Sequence, residues 1–98
     1  MHARVVVYAF KLKPGTIDEL TAKIVAGLAP IYRNQAGFRS YEIITTGPDS
    51  GISISMWDSE AQAKEAFEVG ADWVKGNVAN DVVSAEANVG SVVFSHHA

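Results

Sequence analysis

The run ARVVVYAFKLK, residues 3–13, sets the strongest limit on what this chain can fold into. It is rich in β-branched and aromatic residues and reads as a strand from Arg4 to Lys13. Side chains alternate across a strand, so Val6, Tyr8, Phe10 and Leu12 point one way and Val5, Val7, Ala9 and Lys11 the other. Both faces are largely apolar, the pattern of a strand covered on both sides. Pro14-Gly15 ends the run. The chain has 98 residues, which reads as one domain over residues 1–98. A domain this small buries only about 60–65 % of its unfolded surface, so its stability is limited unless a partner covers more apolar area.

The remaining elements follow from periodicity and punctuation. Thr16 reads as a helix N-cap, with Glu19 three residues on as a capping box requires. Leu20, Ile24, Leu28 and Ile31 form a stripe at helical spacing, with Lys23 outside it. Pro30 is expected to kink or end that helix, leaving Tyr32 and Asn34 in a separate short piece. Gly37 is placed to take the left-handed conformation that ends a helix. Phe38 to Thr46 and Ile52 to Trp57 alternate as two strands. Gly47-Pro48-Asp49-Ser50-Gly51 reads as a five-residue hairpin loop between them. Ser59 caps a second helix, with Glu60 in its first turn. That helix carries Ala63, Ala66, Phe67, Ala71, Trp73 and Val74, is weakened by Gly70 and Gly76, and frays or bends before Asn80-Asp81. A last strand lies within Val82 to Ser95, clearest from Gly90 to Ser95. The order strand, helix, strand, strand, helix, strand is the split β-α-β pattern of an α+β, ferredoxin-like βαββαβ domain with an antiparallel sheet.

Composition narrows the partners. Apolar residues are 48 % and charged residues 19 % of the chain, the balance of a globular protein. The formal charge is −3 with acids and bases mixed along the chain, so nucleic acid is not an expected partner. There is no cysteine, which leaves no disulfide and no thiolate metal site. The first fifteen residues do not read as a signal peptide, and no run approaches the ~20 apolar residues of a membrane span. No membrane association is expected, and a cytoplasmic location is the default.

Three stretches, FKLKPG at 10–15, AGFRSYE at 36–42 and SMWDSEAQAKEAF at 55–67, occur in an order and spacing that resembles the antibiotic biosynthesis monooxygenase family of dimeric α+β-barrel proteins. The resemblance covers nearly the whole chain. It implies a homodimer whose sheets pack face to face into a barrel. The residue pattern permits this independently, because Ile52, Ile54 and Met56 add a second apolar row that something must cover.

The family is functionally mixed. Some members oxidise phenols or quinols with dioxygen and no cofactor, some degrade haem, and fold alone does not decide between them. The resemblance implies a cofactor-independent monooxygenase acting on a small aromatic or quinol-like substrate. The alternative is a non-catalytic ligand-binding or stress-related dimer of the same fold, and a weaker one is haem binding or degradation. Haem-degrading members need a histidine on the second helix. Here the histidines are His2, His96 and His97, and the family's haem-site Asn on strand one falls near Tyr8. No metal-ligand cluster is visible, and no cofactor is expected.

For oxidation of an aromatic substrate, Tyr8, Trp73 and Asn77 are the candidate catalytic residues. Phe10, Tyr41, Trp57 and Phe67 are candidates to bind the substrate, and Tyr32 is a further aromatic that a pocket between sheet and helices would gather. Each aromatic has a plain alternative as core packing, and Asn77 as a surface or turn residue. Glu42 faces opposite to Tyr41; on a dimer-facing side it would need Arg39 or Lys11 as partner. Arg33, Arg39 and Asp72 read as solvated. No general base stands out, since the body of the chain lacks histidine.

Overall fold

In the computed structural model, which describes residues 4–94 and residue 96, the β-branched run forms strand β1, Arg4–Leu12. His2, Ser95 and His97 lie outside the described residues. Helix α1 (Ile17–Arg33), strands β2 (Phe38–Gly47) and β3 (Ser50–Trp57), helix α2 (Glu60–Asn77), a 3-10 turn at Ala79–Asp81 and strand β4 (Val82–Ser91) follow. The sheet order is β2-β3-β1-β4, with every neighbouring pair antiparallel. This is the α+β ferredoxin-like arrangement that the element order predicts. Among the described residues no helix is long and apolar enough to cross a membrane.

Parity along β1 decides where the core sits. Val6 and Leu12 are buried against Leu20, Ile24 and Leu28 of α1 and Ala63 and Ala66 of α2, with Tyr8 and Phe10 packed beside them. Val5 and Val7 point to the opposite face, where the register places them beside Met56 and Ile54 of β3. Strand β3 is inverted relative to a simple apolar-in rule. Its helix side carries Ser53, Ser55 and Trp57, all buried, while Ile52, Ile54 and Met56 lie half-buried on the open face. The Trp57 indole makes the polar side workable, because its Nε1 donates to Ser55 Oγ at 2.9 Å. Glu42 sits on the open face opposite Ile54, and Arg39 pairs with Asp58 at 2.9 Å rather than with Glu42.

Several local expectations need correction. Thr16 occupies the N-cap but makes no capping hydrogen bond; its hydroxyl donates to the Lys13 carbonyl at 2.7 Å, and Glu19 pairs with Lys23 at 3.3 Å. Nor does α1 break at Pro30. It runs on to Arg33, because Tyr32 in that last turn is buried and locked in place. The buried stripe is therefore Leu20, Ile24, Leu28 and Tyr32, whereas Ile31 is 42 % exposed. The hairpin loop is shorter than five residues: Gly47 pairs with Ser50, leaving Pro48 and Asp49 between the strands. Asp49 then holds the neighbouring turn, accepting from Leu12 N at 2.7 Å and, through Oδ1, from Gly15 N at 3.1 Å. Strand β4 begins at Val82 and ends at Ser91, so it takes in only Gly90 and Ser91 of the stretch expected to be its clearest part.

Gly37 has φ +80°, but α1 has already ended at Arg33 with Asn34 as its cap. The left-handed residue serves the entry to β2 instead. Its carbonyl accepts from Asp58 N at 2.9 Å, and Phe38 turns inward to meet Trp57 edge-on at 5.4 Å. On α2, Ser59 caps as expected, accepting from Gln62 N at 3.2 Å.

An internal proline forfeits one helical hydrogen bond and costs about 3 kcal/mol relative to alanine in a helix interior, partly offset by a stiffer unfolded chain. Pro30→Ala should therefore raise the unfolding free energy by about 1–2 kcal/mol, read by urea denaturation.

Candidate functional site

A cavity of about 410 Å³ lies between the sheet and the two helices. That is within the usual range for a small-molecule site, roughly 300–1,000 Å³. Tyr8 and Phe10 of β1, Tyr41 of β2 and Ser53 of β3 reach it from the sheet. The apolar stripe of α1 closes one side and ends in Tyr32; Gly70, Ala71, Val74 and Lys75 of α2 close another. The lining residues Tyr32, Ser53 and Gly70 are buried, whereas Ala71, Lys75, Ala79 and Val83 to Ala85 are exposed. The first group is the floor and the second the mouth.

Three phenols define the floor chemically. The Tyr8 hydroxyl donates to the Phe67 carbonyl at 2.6 Å and the Tyr32 hydroxyl to the Ala66 carbonyl at 3.2 Å. One hydroxyl from the sheet and one from α1 thus grip consecutive carbonyls of α2. Tyr41 meets the Tyr32 ring edge-on at 4.9 Å, and Tyr32 meets Trp57 edge-on at 5.5 Å. Burial pushes the Tyr8 hydroxyl up to about 12. It also raises Tyr32, with Tyr41 and Tyr8 adding to the effect. Tyr41 is pushed up to about 12 by burial, against the Ser53 hydroxyl, which favours the phenolate, and with Tyr8, which opposes it. All three phenols are therefore neutral near pH 7 and act as hydrogen-bonding groups rather than as bases. Because Tyr8 and Tyr32 commit their protons to α2, their oxygens face other partners as acceptors.

Gly70 makes this grip possible. A Cβ there would collide with Tyr32 Oη and lie 3.4 Å from Tyr8 Oη. The glycine that weakens α2 in the sequence is the point at which both hydroxyls dock.

The structure brings Tyr8, Phe10 and Tyr41 together at the cavity wall. Four other candidates are placed elsewhere. Trp57 is 0 % exposed and sits beneath Tyr32 and Phe38. Phe67 stacks on Tyr8 at 5.7 Å, behind the cavity. Trp73 packs between the helices on Gly27, where a Cβ would come within 2.9 Å of the indole Cζ2. Asn77 is exposed and donates back to the Trp73 carbonyl at 2.9 Å, beside a separate polar depression. Tyr32, the further aromatic expected at such a pocket, sits at the floor, and Ser53 and Gly70 are floor residues beyond the expected set. Tyr32 follows Leu28 by one helical step of four, and Ser53 shares its strand parity with Trp57; those are the signals that locate them. Among the described residues no cluster of His, Asp or Glu could hold a metal ion.

The family model for antibiotic biosynthesis monooxygenase matches residues 3–70. The chain belongs to that family. The match takes in Tyr8, Phe10, Tyr32, Tyr41, Ser53 and Gly70 but ends before Trp73, Lys75, Asn77 and β4. None of the curated proteins matches the chain. Solved structures share its fold at low identity. A protein of Nitrosomonas europaea superposes with a TM-score of 0.80 at 17 % identity, covering 100 % of this chain and 96 % of its own. A protein of Shewanella oneidensis gives 0.77 at 20 % identity, over 93 % of this chain and 91 % of its own. SnoaB, a cofactor-independent oxygenase from Streptomyces nogalater, gives 0.76 at 13 % identity, over 97 % of each chain.

Alanine is favoured over glycine inside a helix by about 1 kcal/mol. Gly76, around which a Cβ would meet nothing within 4 Å, should show that gain as Gly76→Ala. Gly70→Ala should instead lose about 1–3 kcal/mol through overpacking, with the opposite sign in the same denaturation assay.

Proposed function

We propose that the protein is an oxygenase that oxidises a small hydroxyaromatic or quinol-like substrate with dioxygen and without an added cofactor. The observation that carries this reading is the apolar cavity whose floor is formed by neutral tyrosine hydroxyls. Family membership and the SnoaB likeness agree with it. A flat substrate fits between Phe10 and Tyr41 and the aliphatic wall of α1, with its hydroxyl at the floor. Loss of a substrate proton leaves an anion that transfers one electron to dioxygen. Recombination forms a carbon–oxygen bond; cleavage of the O–O bond then leaves one oxygen in a ring carbonyl and releases the other as water with the two hydrogens lost by the substrate. Tyr8 and Tyr41 orient the substrate. Phe67 supports Tyr8 from behind, Trp57 supports Tyr32 from below, and Trp73 holds the helix spacing. Asn77, through the carbonyl of Trp73, serves only the end of α2.

Among the described residues no carboxylate or imidazole lines the cavity. The substrate must therefore supply its own acidity, and that same observation favours the second reading, a ligand-binding protein without turnover. Oxygen uptake over a panel of phenols, anthrones and naphthoquinols separates the two. The oxygenase reading expects uptake above autoxidation, reduced about 2- to 10-fold by Tyr8→Phe or Tyr41→Phe, the size of one neutral hydrogen bond, and little changed by Asn77→Ala. Because both tyrosines titrate only near pH 12, kcat/KM between roughly pH 6 and 9 should rise with the ionisation of each substrate. A pH midpoint shared by substrates of different acidity would contradict this.

The same reading includes a homodimer. Val5, Val7, Ile52, Ile54 and Met56 make one apolar patch on the open face of the sheet, bordered by Glu42 and Glu86. A second copy placing its own patch there would cover both. Ile54→Asp, set opposite Glu42, should then give a folded species sedimenting at half the mass of the parent protein.

A further inference from the structure

The cavity has two polar ends, and they differ in kind. At the floor, Tyr8 and Tyr32 have their protons on the Phe67 and Ala66 carbonyls, so each presents an oxygen that accepts. At the mouth stands Lys75, whose ammonium can only donate. Among the described residues it is the one charged side chain of the lining; Ser53 at the floor and Ser84 at the mouth are polar, and the rest of the wall is aliphatic or aromatic. Among the described residues Lys75 is in no ion pair, whereas Lys23 and Lys64 on the same two helices each hold a glutamate. Glu19 and Asp81 border the far side of Lys75, in the polar depression behind it, and Glu19 is already engaged by Lys23. Gly70, against which the two hydroxyls dock, and Lys75 are five residues apart on α2, about 7.5 Å along its axis.

Building on the proposed aromatic substrate, we propose that the cavity selects an acid: a hydroxyaromatic carboxylate whose hydroxyl donates to the tyrosine oxygens at the floor and whose carboxylate meets Lys75 at the mouth. Lys75 is then a specificity-determining residue. It acts on binding and takes no part in oxygen chemistry.

The test is binding by quenching of intrinsic tryptophan fluorescence, with calorimetry as a second readout. The probes are a hydroxynaphthoate with its two groups at opposite ends of the rings, the matching naphthol and the matching methoxynaphthoate. The hydroxynaphthoate should bind about three- to fivefold more tightly than the naphthol, the size of an exposed ion pair, and the preference should fade at high salt. Lys75→Ala should abolish the preference, Lys75→Arg should keep it, and Lys23→Ala should leave it unchanged. The methoxynaphthoate, which cannot donate at the floor, should bind more weakly than the hydroxynaphthoate in every variant. Equal affinity for acid and naphthol, a preference that survives Lys75→Ala, or no binding of either probe would overturn the proposal. Turnover of neutral phenols in the oxygen assay alongside any of those results would leave the oxygenase reading standing without it, whereas selective binding with no oxygen uptake would uphold the acid site and remove the oxygenase.

Discussion

Two hydrogen bonds from tyrosine hydroxyls to consecutive carbonyls of α2 hold the architecture around the cavity. Tyr8 comes from the central strand and Tyr32 from the last turn of α1, so the pair ties α2 to both other layers at one place. Gly70 lets them approach, and a larger residue there would have to displace the Tyr32 hydroxyl or the helix. Tyr32 in turn explains why α1 survives its own proline. Its ring is wedged against Trp57 and Tyr41, and the tertiary packing of one buried side chain outweighs a lost backbone hydrogen bond.

The order of elements was legible because each one is punctuated. Pro14-Gly15, Gly37, Pro48-Asp49 and Ser59 all fall at or next to real boundaries. The periodicity of β1 also located the two faces of the sheet correctly. What the residues concealed was mostly side-chain direction. Ile31 and Tyr32 are neighbours on a helix, and hydrophobicity favours Ile31; the spacing of four from Leu28 favours Tyr32, and spacing won. Thr16 looks like a capping residue because composition cannot reveal that its hydroxyl bonds the Lys13 carbonyl and not a helical amide.

The cavity was legible only in part, for a related reason. Tyr8, Phe10 and Tyr41 lie on strands, where parity fixes direction. Trp73 and Asn77 share a helix face with each other, but that face turns toward α1 and solvent rather than toward the sheet. Ser53 was hidden by the usual association of serine with solvent. On β3 the association is reversed: the small polar residues face the helices, where bulky ones would fill the cavity, and the branched residues face out. The same inversion that leaves room for a ligand inside leaves an apolar surface outside.

The absence of charge on the cavity floor also bears on electron energetics. Water stabilises an organic anion strongly, and an apolar wall with a few neutral hydroxyls stabilises it less. An anion formed between Phe10, Tyr41 and the α1 stripe would lie higher in energy than the same anion in bulk water, and its highest electron would be easier to remove. Its reduction potential would shift toward that of a stronger reductant. The side chains that make deprotonation harder at this floor would thus make the electron transfer that follows it easier, and the balance between those two steps would be set by how deeply a ligand is enclosed.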